Sequence, residues 1–478
     1  MSDAGRTLFL HEDRFFDPEP EVRTFARRLY ERTSALPLVC PHGHVDPKIL
    51  ATNEPFSEPA SLLILPDHYI LRMLYSQGIS LESLGVPACD GTEVETNPRA
   101  IWEIFSRSYH FFRGTPTRVW LDFELAAVFG VTVQLNEYTA SRIYDEISEK
   151  LASPEFRPRA LFERFNIEVL ATTDKATDSL QQHRAISQSD WGGRVIPTFR
   201  PDSLFAISNP GWRREIDELS RRSGRDAETY DDFIKAIEQR RKAFGSLGAT
   251  ATDHGVETPR AERLNDAEVR RIFDGALTGR ASSDDQTRFE AHMLIEMAQM
   301  SRDDGLVMQI HAGSLRDHNT LVAQGFGPNR GGDIPVAAEF TRNLRPLLEE
   351  FGNDRDFHLI LFTLDESTYT RELAPLAGHY PAVRLGPPWW FHDSIEGMRR
   401  FRESTTGTAG IYNTAGFNDD TRAFCSIPAR HDLSRRMDAN YLARLVATHV
   451  IDEDEAHDMA HALAYDLART AYKLDANG

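Results

Sequence analysis

The sequence predicts a (β/α)8 barrel of the α/β class, and three observations carry that expectation. Short apolar runs alternate with longer stretches of 3.6-residue periodicity along most of the chain, and eight such runs can be counted. Their near-continuous apolar character is that of parallel strands buried on both faces. At 478 residues, with 41% apolar and 27% charged side chains, the chain can bury the core that such a barrel needs. A doubly wound open sheet is the alternative reading of the same pattern.

The first strand is expected at Leu36–Val45, and its end carries His42-Gly43-His44. Residues two apart on a strand project to one face, so the two imidazoles leave it together. Neutral imidazole is a common zinc ligand, and the pair makes half a metal site. His68 and Tyr69 open the next helical stretch, with an imidazole and a phenol able to move protons. About 120 residues then pass before the second strand, far more than a barrel unit takes. Periodicity fills them with helices over Arg99–Phe112, Leu121–Phe129 and Ala140–Leu151, broken by a turn-rich stretch at 111–117. Residues 1–74 therefore read as N-terminal helices and the first barrel unit, and 75–165 as a helical insertion.

Residues 166–425 read as the remaining seven units. Their strands are expected at Ile167–Thr173, Arg194–Phe199, Gly248–Thr252, Gly305–His311, His358–Leu364, Ala382–Gly386 and Gly410–Gly416, with helices such as Tyr230–Phe244 and Gln286–Met300 between them. Residues 426–478 read as C-terminal helices. Tyr441–Tyr472 is helical, and Asp452–Glu455 supplies an acidic first turn.

Barrel active sites form at the carboxyl ends of the strands, so the polar residues there are the candidates. After the histidine pair come Arg200 and Asp202, Asp253 and His254, His311, Asp365, Trp389 and Trp390, and finally Asn418 to Arg422. His42, His44, Asp420 and His311 are the candidate ligands of a divalent metal, an N/O set that suits zinc and tolerates other transition ions. The competing reading of His311 is a histidine bonded to backbone under a loop. Asp420 is preferred to Asp419 because its spacing to Arg422 puts both on one side of an extended segment. Arg200 and Arg422 are candidate carboxylate clamps, against the plainer reading of surface ion pairs. Trp389 and Trp390 could pack on a sugar face, although paired tryptophans are more often core. His457 and His461 lack the glutamate of a zinc-protease helix and read as surface. No Gly-rich phosphate loop lies between a strand and a helix.

A net charge of −19 argues against nucleic acid or an anionic membrane as partners, and means that an anionic substrate needs its own arginines. Cys40, Cys89 and Cys425 form no CxxC pair, as in a reduced compartment. The opening residues lack an apolar leader and no 18-residue apolar run follows, so a cytoplasmic protein is expected.

Taken in order, several motifs carry a resemblance. They are His42-Gly43-His44 with Asp46 and Pro47, Asp67-His68-Tyr69 with Arg72, and Phe112 to Thr117 with Trp120 and Asp122. Thr172 to Asp174, Pro197 to Asp202 and Asp253-His254-Gly255 follow, then Gln309 to Gly313, Trp389 to Phe391 and Asp420 to Arg422. The sequence resembles the uronate isomerase (glucuronate isomerase) family of the amidohydrolase superfamily along nearly its whole length. It departs from that pattern at Thr363 to Ser367, at Gly386 to Pro388 and at His392.

The resemblance implies a distorted (β/α)8 barrel and one divalent metal ion, zinc first, at His42, His44 and Asp420 with His311 in or beside the shell. It implies interconversion of D-glucuronate and D-fructuronate, or of D-galacturonate and D-tagaturonate. Asp420 and Tyr69 would supply the acid and base, and Arg422, counted with them as catalytic, would join Arg200 and His68 in holding the carboxylate and hydroxyls, with His311 and Trp389 also against the hexuronate. A homo-oligomer is expected. A metal-dependent hydrolase or deaminase on the same scaffold is the alternative; it would not need the arginines or His68-Tyr69.

Overall fold

The computed structural model describes residues 5–477, so residues 1–4 of the leader reading lie outside the described residues. Seven strands form one parallel sheet: β1 Leu38–Cys40, β2 Ile167–Lys175, β3 Arg194–Arg200, β4 Ala251–Val256, β5 Val307–Ala312, β6 Leu359–Thr363 and β7 Val383–Leu385. Each pairs only with its sequence neighbours, from β1 to β7 without reversal. A doubly wound sheet reverses its strand order, so that alternative is excluded.

The eighth expected strand, Gly410–Gly416, is not one. Gly410 and Gly416 have φ of 67° and 68°, and the residues between them turn rather than extend. The segment still closes the ring. The Leu385 amide donates to Asn413 O at 2.9 Å, the Ala415 amide to Leu385 O at 2.8 Å, and the His44 amide to Thr421 O at 2.9 Å. The molecule is thus a distorted (β/α)8 barrel whose eighth stave is irregular chain. β1 is also shorter than expected, because Pro41 has no amide hydrogen to extend the ladder.

Alternation along the strands fills the barrel. Val39, Val169, Ala171, Ile196, Ala251, Val307, Ile360 and Phe362 share one inner cluster with Tyr472 and Leu474 from the end of the chain. Tyr472 is fully buried and its hydroxyl donates to Gln309 Oε1 at 2.9 Å, tying the C-terminal helices to the barrel interior. The opposite residues of each strand pack outward under the helices.

Between β1 and β2 lie the helices Pro98–Ser108, Pro116–Phe123, Ala140–Leu151 and Pro158–Arg164. The expected break falls at Gly114, with φ of 79°. The C-terminal helices begin with Ile427–Ala447, at the start of the segment expected to carry them, although helical periodicity is read in the sequence only from Tyr441. A new helix, Glu453–His461, then starts on an Asp452–Glu455 capping box. No helix among the described residues is long and apolar enough to cross a membrane. All three cysteines are free, Cys40 and Cys425 buried and Cys89 exposed.

Candidate active site

The period of each strand decides which polar residue reaches the carboxyl mouth of the barrel. Inward rows run Ile196, Thr198, Arg200 on β3, Ala251, Asp253 on β4, and Val307, Gln309, His311 on β5. They end in a cavity of about 430 Å3. His42, His44, His68, Tyr69, Arg200, His311, Trp389, Asp420 and Arg422 all line it. His254 faces outward instead, with its Nε2 3.0 Å from Thr252 Oγ1. His457 and His461 belong to no three-residue ligand cluster among the described residues.

His42 and His44 follow β1 rather than end it, yet they converge. Their Nε2 atoms lie 3.5 and 3.1 Å from Asp420 Oδ1. Asp420 sits at φ 38°, a left-handed conformation that aspartate tolerates better than most residues. Its neighbour Asp419 faces a different cluster, beside His431 and Cys40.

Ligand atoms of His42, His311 and Asp420 all fall within 4.8 Å of one another. His42 Nδ1 and His311 Nε2 are buried without a hydrogen-bond partner, an arrangement costly for polar nitrogens unless an ion or ligand meets the ring. The donor set of imidazoles and a carboxylate fits a divalent transition ion. His311 stacks on His42 at 4.6 Å and on Phe362 at 4.0 Å. Its Nδ1 lies 2.7 Å from Asp253 Oδ1, and Arg200 Nη1 is 3.2 Å from Asp253 Oδ2. That carboxylate keeps the proton on Nδ1 and leaves Nε2 with its lone pair, as outer partners of metal-bound histidines do.

Electrostatics agree with neutral rings around an ionised acid. Burial pushes His42 down to about 4 and His68 down to about 3, and lowers His44 as well. Burial by itself would raise Asp420; the imidazoles of His42 and His44 overcome it and hold the carboxyl below its ordinary range. In Asp253, Arg200 and His311 likewise outweigh burial. Burial raises the Tyr69 phenol, which stays protonated.

Tyr69 is set by Asp67, whose side chain caps the helix His68–Ser76 by accepting from the Tyr69 amide at 2.8 Å. Its hydroxyl donates to Trp390 O at 3.3 Å. The fully buried Arg430, paired with Asp393, stacks 3.6 Å over Trp120 and stands 5.5 Å from the Tyr69 ring. Trp389 meets His311 edge-on at 4.7 Å and forms a wall of the cavity.

Four cations reach the cavity: Lys175, Arg200, Arg316 and Arg422. Arg200 is held by Asp202 and Asp253, Arg316 by Asp333, and Lys175 by Glu215. Arg422 has no carboxylate partner among the described residues. Its Nη1 is 3.3 Å from His68 Nδ1, and its Nη2 donates to Asn329 Oδ1 at 3.2 Å.

Arg316, Asn329 and Asp333 were not expected at the site. They belong to an excursion between β5 and β6 that carries a two-residue antiparallel pair, Ser314–Leu315 with Ile334–Pro335, and a short helix, Thr320–Phe326. The run of Gly325, Gly327, Pro328, Asn329, Gly331 and Gly332 is the sequence signal that marks it, a turn-rich loop at the catalytic end of a strand.

Known proteins share this architecture. A family model described as glucuronate isomerase matches residues 13–472. The chain is 53% identical over 467 residues to a uronate isomerase of Nostoc punctiforme, covering 98% of each. It superposes on the crystal structure of glucuronate isomerase from Caulobacter crescentus with a TM-score of 0.96 at 50% identity, covering 98% of both chains. For a uronate isomerase from Thermotoga maritima the TM-score is 0.90 at 28% identity, covering 97% of this chain and 99% of that one.

Proposed function

Because this chain belongs to the glucuronate isomerase family and is an isomerase, we propose that its cavity interconverts D-glucuronate and D-fructuronate, or the galacturonate and tagaturonate pair, by moving a proton between C2 and C1. The observation that carries the reading is Arg422, a cavity arginine with no carboxylate of its own beside the His42–His44–Asp420 cluster. In a chain of net charge −19, such a cation marks the seat of an anionic substrate.

The substrate carboxylate lies on the Arg422 guanidinium, whose planar fork matches it with two parallel bonds, and Asn329 and His68 flank it. The other end of the sugar then faces Asp420. Removing the C2 proton places charge on the C1 oxygen, and the C2 hydroxyl must then lose its proton, so the site needs a base, a donor and a polarising group. Asp420, ionised over the working range, accepts the C2 proton and returns it to C1. Tyr69, kept protonated, gives its proton to the C1 oxygen as charge develops there and takes back the one released by the C2 hydroxyl. Asp253 and Arg200 hold the ring of His311 in place, and Trp389 and Trp390 shield the sugar from water. His42, His44, Asp420 and His311 would hold one divalent ion, zinc by ligand type, which when bound polarises the C1 and C2 oxygens.

The test is a panel of uronates given to metal-loaded protein of measured metal content. Ketose formation from D-glucuronate or D-galacturonate is expected; no ketose from any uronate overturns the reading.

A further inference from the structure

Directly behind the active-site cluster lies a second group of ligand-type side chains that the reaction does not use. Cys40 ends β1, Asp419 precedes Asp420, and His431 stands on the helix Ile427–Ala447. All three are buried, and their ligand atoms fall within 4.8 Å of one another. His431 Nε2 is 3.6 Å from Cys40 Sγ and 3.3 Å from Asp419 Oδ2.

Hydrogen bonding accounts for part of this convergence, since Asp419 accepts from both the His431 ring and the Cys40 thiol, but it leaves two features over. A ring nitrogen is either a donor or an acceptor, so Nε2 can give a proton to Asp419 or take one from Cys40, and not both at once. Asp419 Oδ1, with its side chain shut off from solvent, has no partner at all. A bound cation answers both features. With zinc bonds of about 2.0 Å to nitrogen and oxygen and about 2.3 Å to sulfur, a tetrahedron has nitrogen–sulfur and nitrogen–oxygen edges of about 3.6 and 3.3 Å. The observed separations match those edges. The free Oδ1 lets Asp419 bind through either oxygen or both.

We propose that Cys40, Asp419 and His431 form a second, structural metal site, selective for a thiolate-accepting divalent ion such as zinc. Binding breaks the Cys40 S–H bond and forms a metal–sulfur bond, releasing one proton to solvent. Asp419 binds through carboxylate oxygen and His431 through a ring nitrogen. Two negative ligands then balance the ion's charge in a site that water does not reach. The ion pins three separate pieces of chain: the end of β1 two residues before His42, the turn one residue before Asp420, and the last long helix. Its role is to position the residues that carry the chemistry. It does not touch substrate.

Cobalt tests this independently of the proposed activity, because the cluster of His42, His44, His311 and Asp420 contains no sulfur. Protein produced in cobalt-supplemented, zinc-depleted medium should hold two ions per chain and show a near-ultraviolet sulfur-to-cobalt charge-transfer band. Cys40→Ser should lose that band and about half of the cobalt, while Cys425→Ser keeps both. If Cys40→Ser does not fold, the band and the metal count of the unaltered chain still decide. Cobalt uptake without a sulfur band, or a band that survives in folded Cys40→Ser, overturns the proposal. If the sulfur band appears in a protein that turns over no uronate, the second site stands and the isomerase reading falls.

Discussion

Replacing Arg422 by methionine removes the charge and the fork while keeping much of the side chain's length. The guanidinium now contacts only His68 and Asn329, so the change breaks no ion pair within the protein. Its cost therefore falls on the substrate. A charge-assisted hydrogen bond contributes about 1.5 to 3 kcal/mol, and a fork makes two, so about 3 to 6 kcal/mol of binding is at stake. At 1.4 kcal/mol per factor of ten, kcat/KM for the preferred uronate should fall about 10²- to 10⁴-fold. Arg422→Lys should recover part of it, since a lysine supplies the charge without the fork. The assay is ketose formation at substrate concentrations well below KM, with the melting temperature followed in parallel. A loss smaller than tenfold in Arg422→Met, with the fold intact, would refute the placement of the carboxylate.

Three further outcomes are expected. Asp253→Asn removes the acceptor that fixes the proton on His311 Nδ1, so metal affinity or turnover should drop about 10- to 100-fold, read by metal titration and kcat together. Gly331→Ala would bring a Cβ to 2.6 Å from Arg72 Cβ and 2.9 Å from His68 O at a φ of 82°. It should displace the excursion that carries Asn329 and lower kcat/KM more than it lowers the melting temperature. His292 accepts the Leu264 amide on Nδ1 and lies 2.9 Å from the Tyr230 hydroxyl, and burial pushes its pKa down to about 4 from 6.5. The folded form thus binds fewer protons than the unfolded chain between those values, and this group's stabilisation is lost as pH falls through that window. The drop in melting temperature between pH 7 and pH 4.5 should be smaller in His292→Gln; an equal drop would show that the group is not a source of the acid sensitivity.

The parts of the fold that follow a period were legible. Seven apolar runs became β1 to β7, and Ala140–Leu151 is a helix with the predicted bounds. Gly410–Gly416 misled because it is apolar but carries glycines at both ends, and only tertiary hydrogen bonds from Leu385 and His44 hold that stave in the ring. At the site, the ends of strands were readable because inward-facing residues alternate: Arg200 and His311 are each the last of an inward row. The same alternation places Asp253 inward and His254 outward, a choice the sequence left between two neighbours. For Asn329, Arg316 and Asp333 only the turn-rich run was legible: it marks a loop at the catalytic end, but which of its side chains reaches the mouth is decided only once the barrel beneath it is built. The cluster of Cys40, Asp419 and His431 was hidden for a similar reason. Its members are separated by 379 and 12 positions in sequence and meet only through the closed ring.

The most direct measurement compares the unaltered protein with Asp420→Asn, both metal-analysed and both shown to be folded by circular dichroism, for ketose formation from D-glucuronate and D-galacturonate. The account predicts turnover of at least one uronate by the unaltered protein and its loss in Asp420→Asn. Full activity in the folded variant would contradict it.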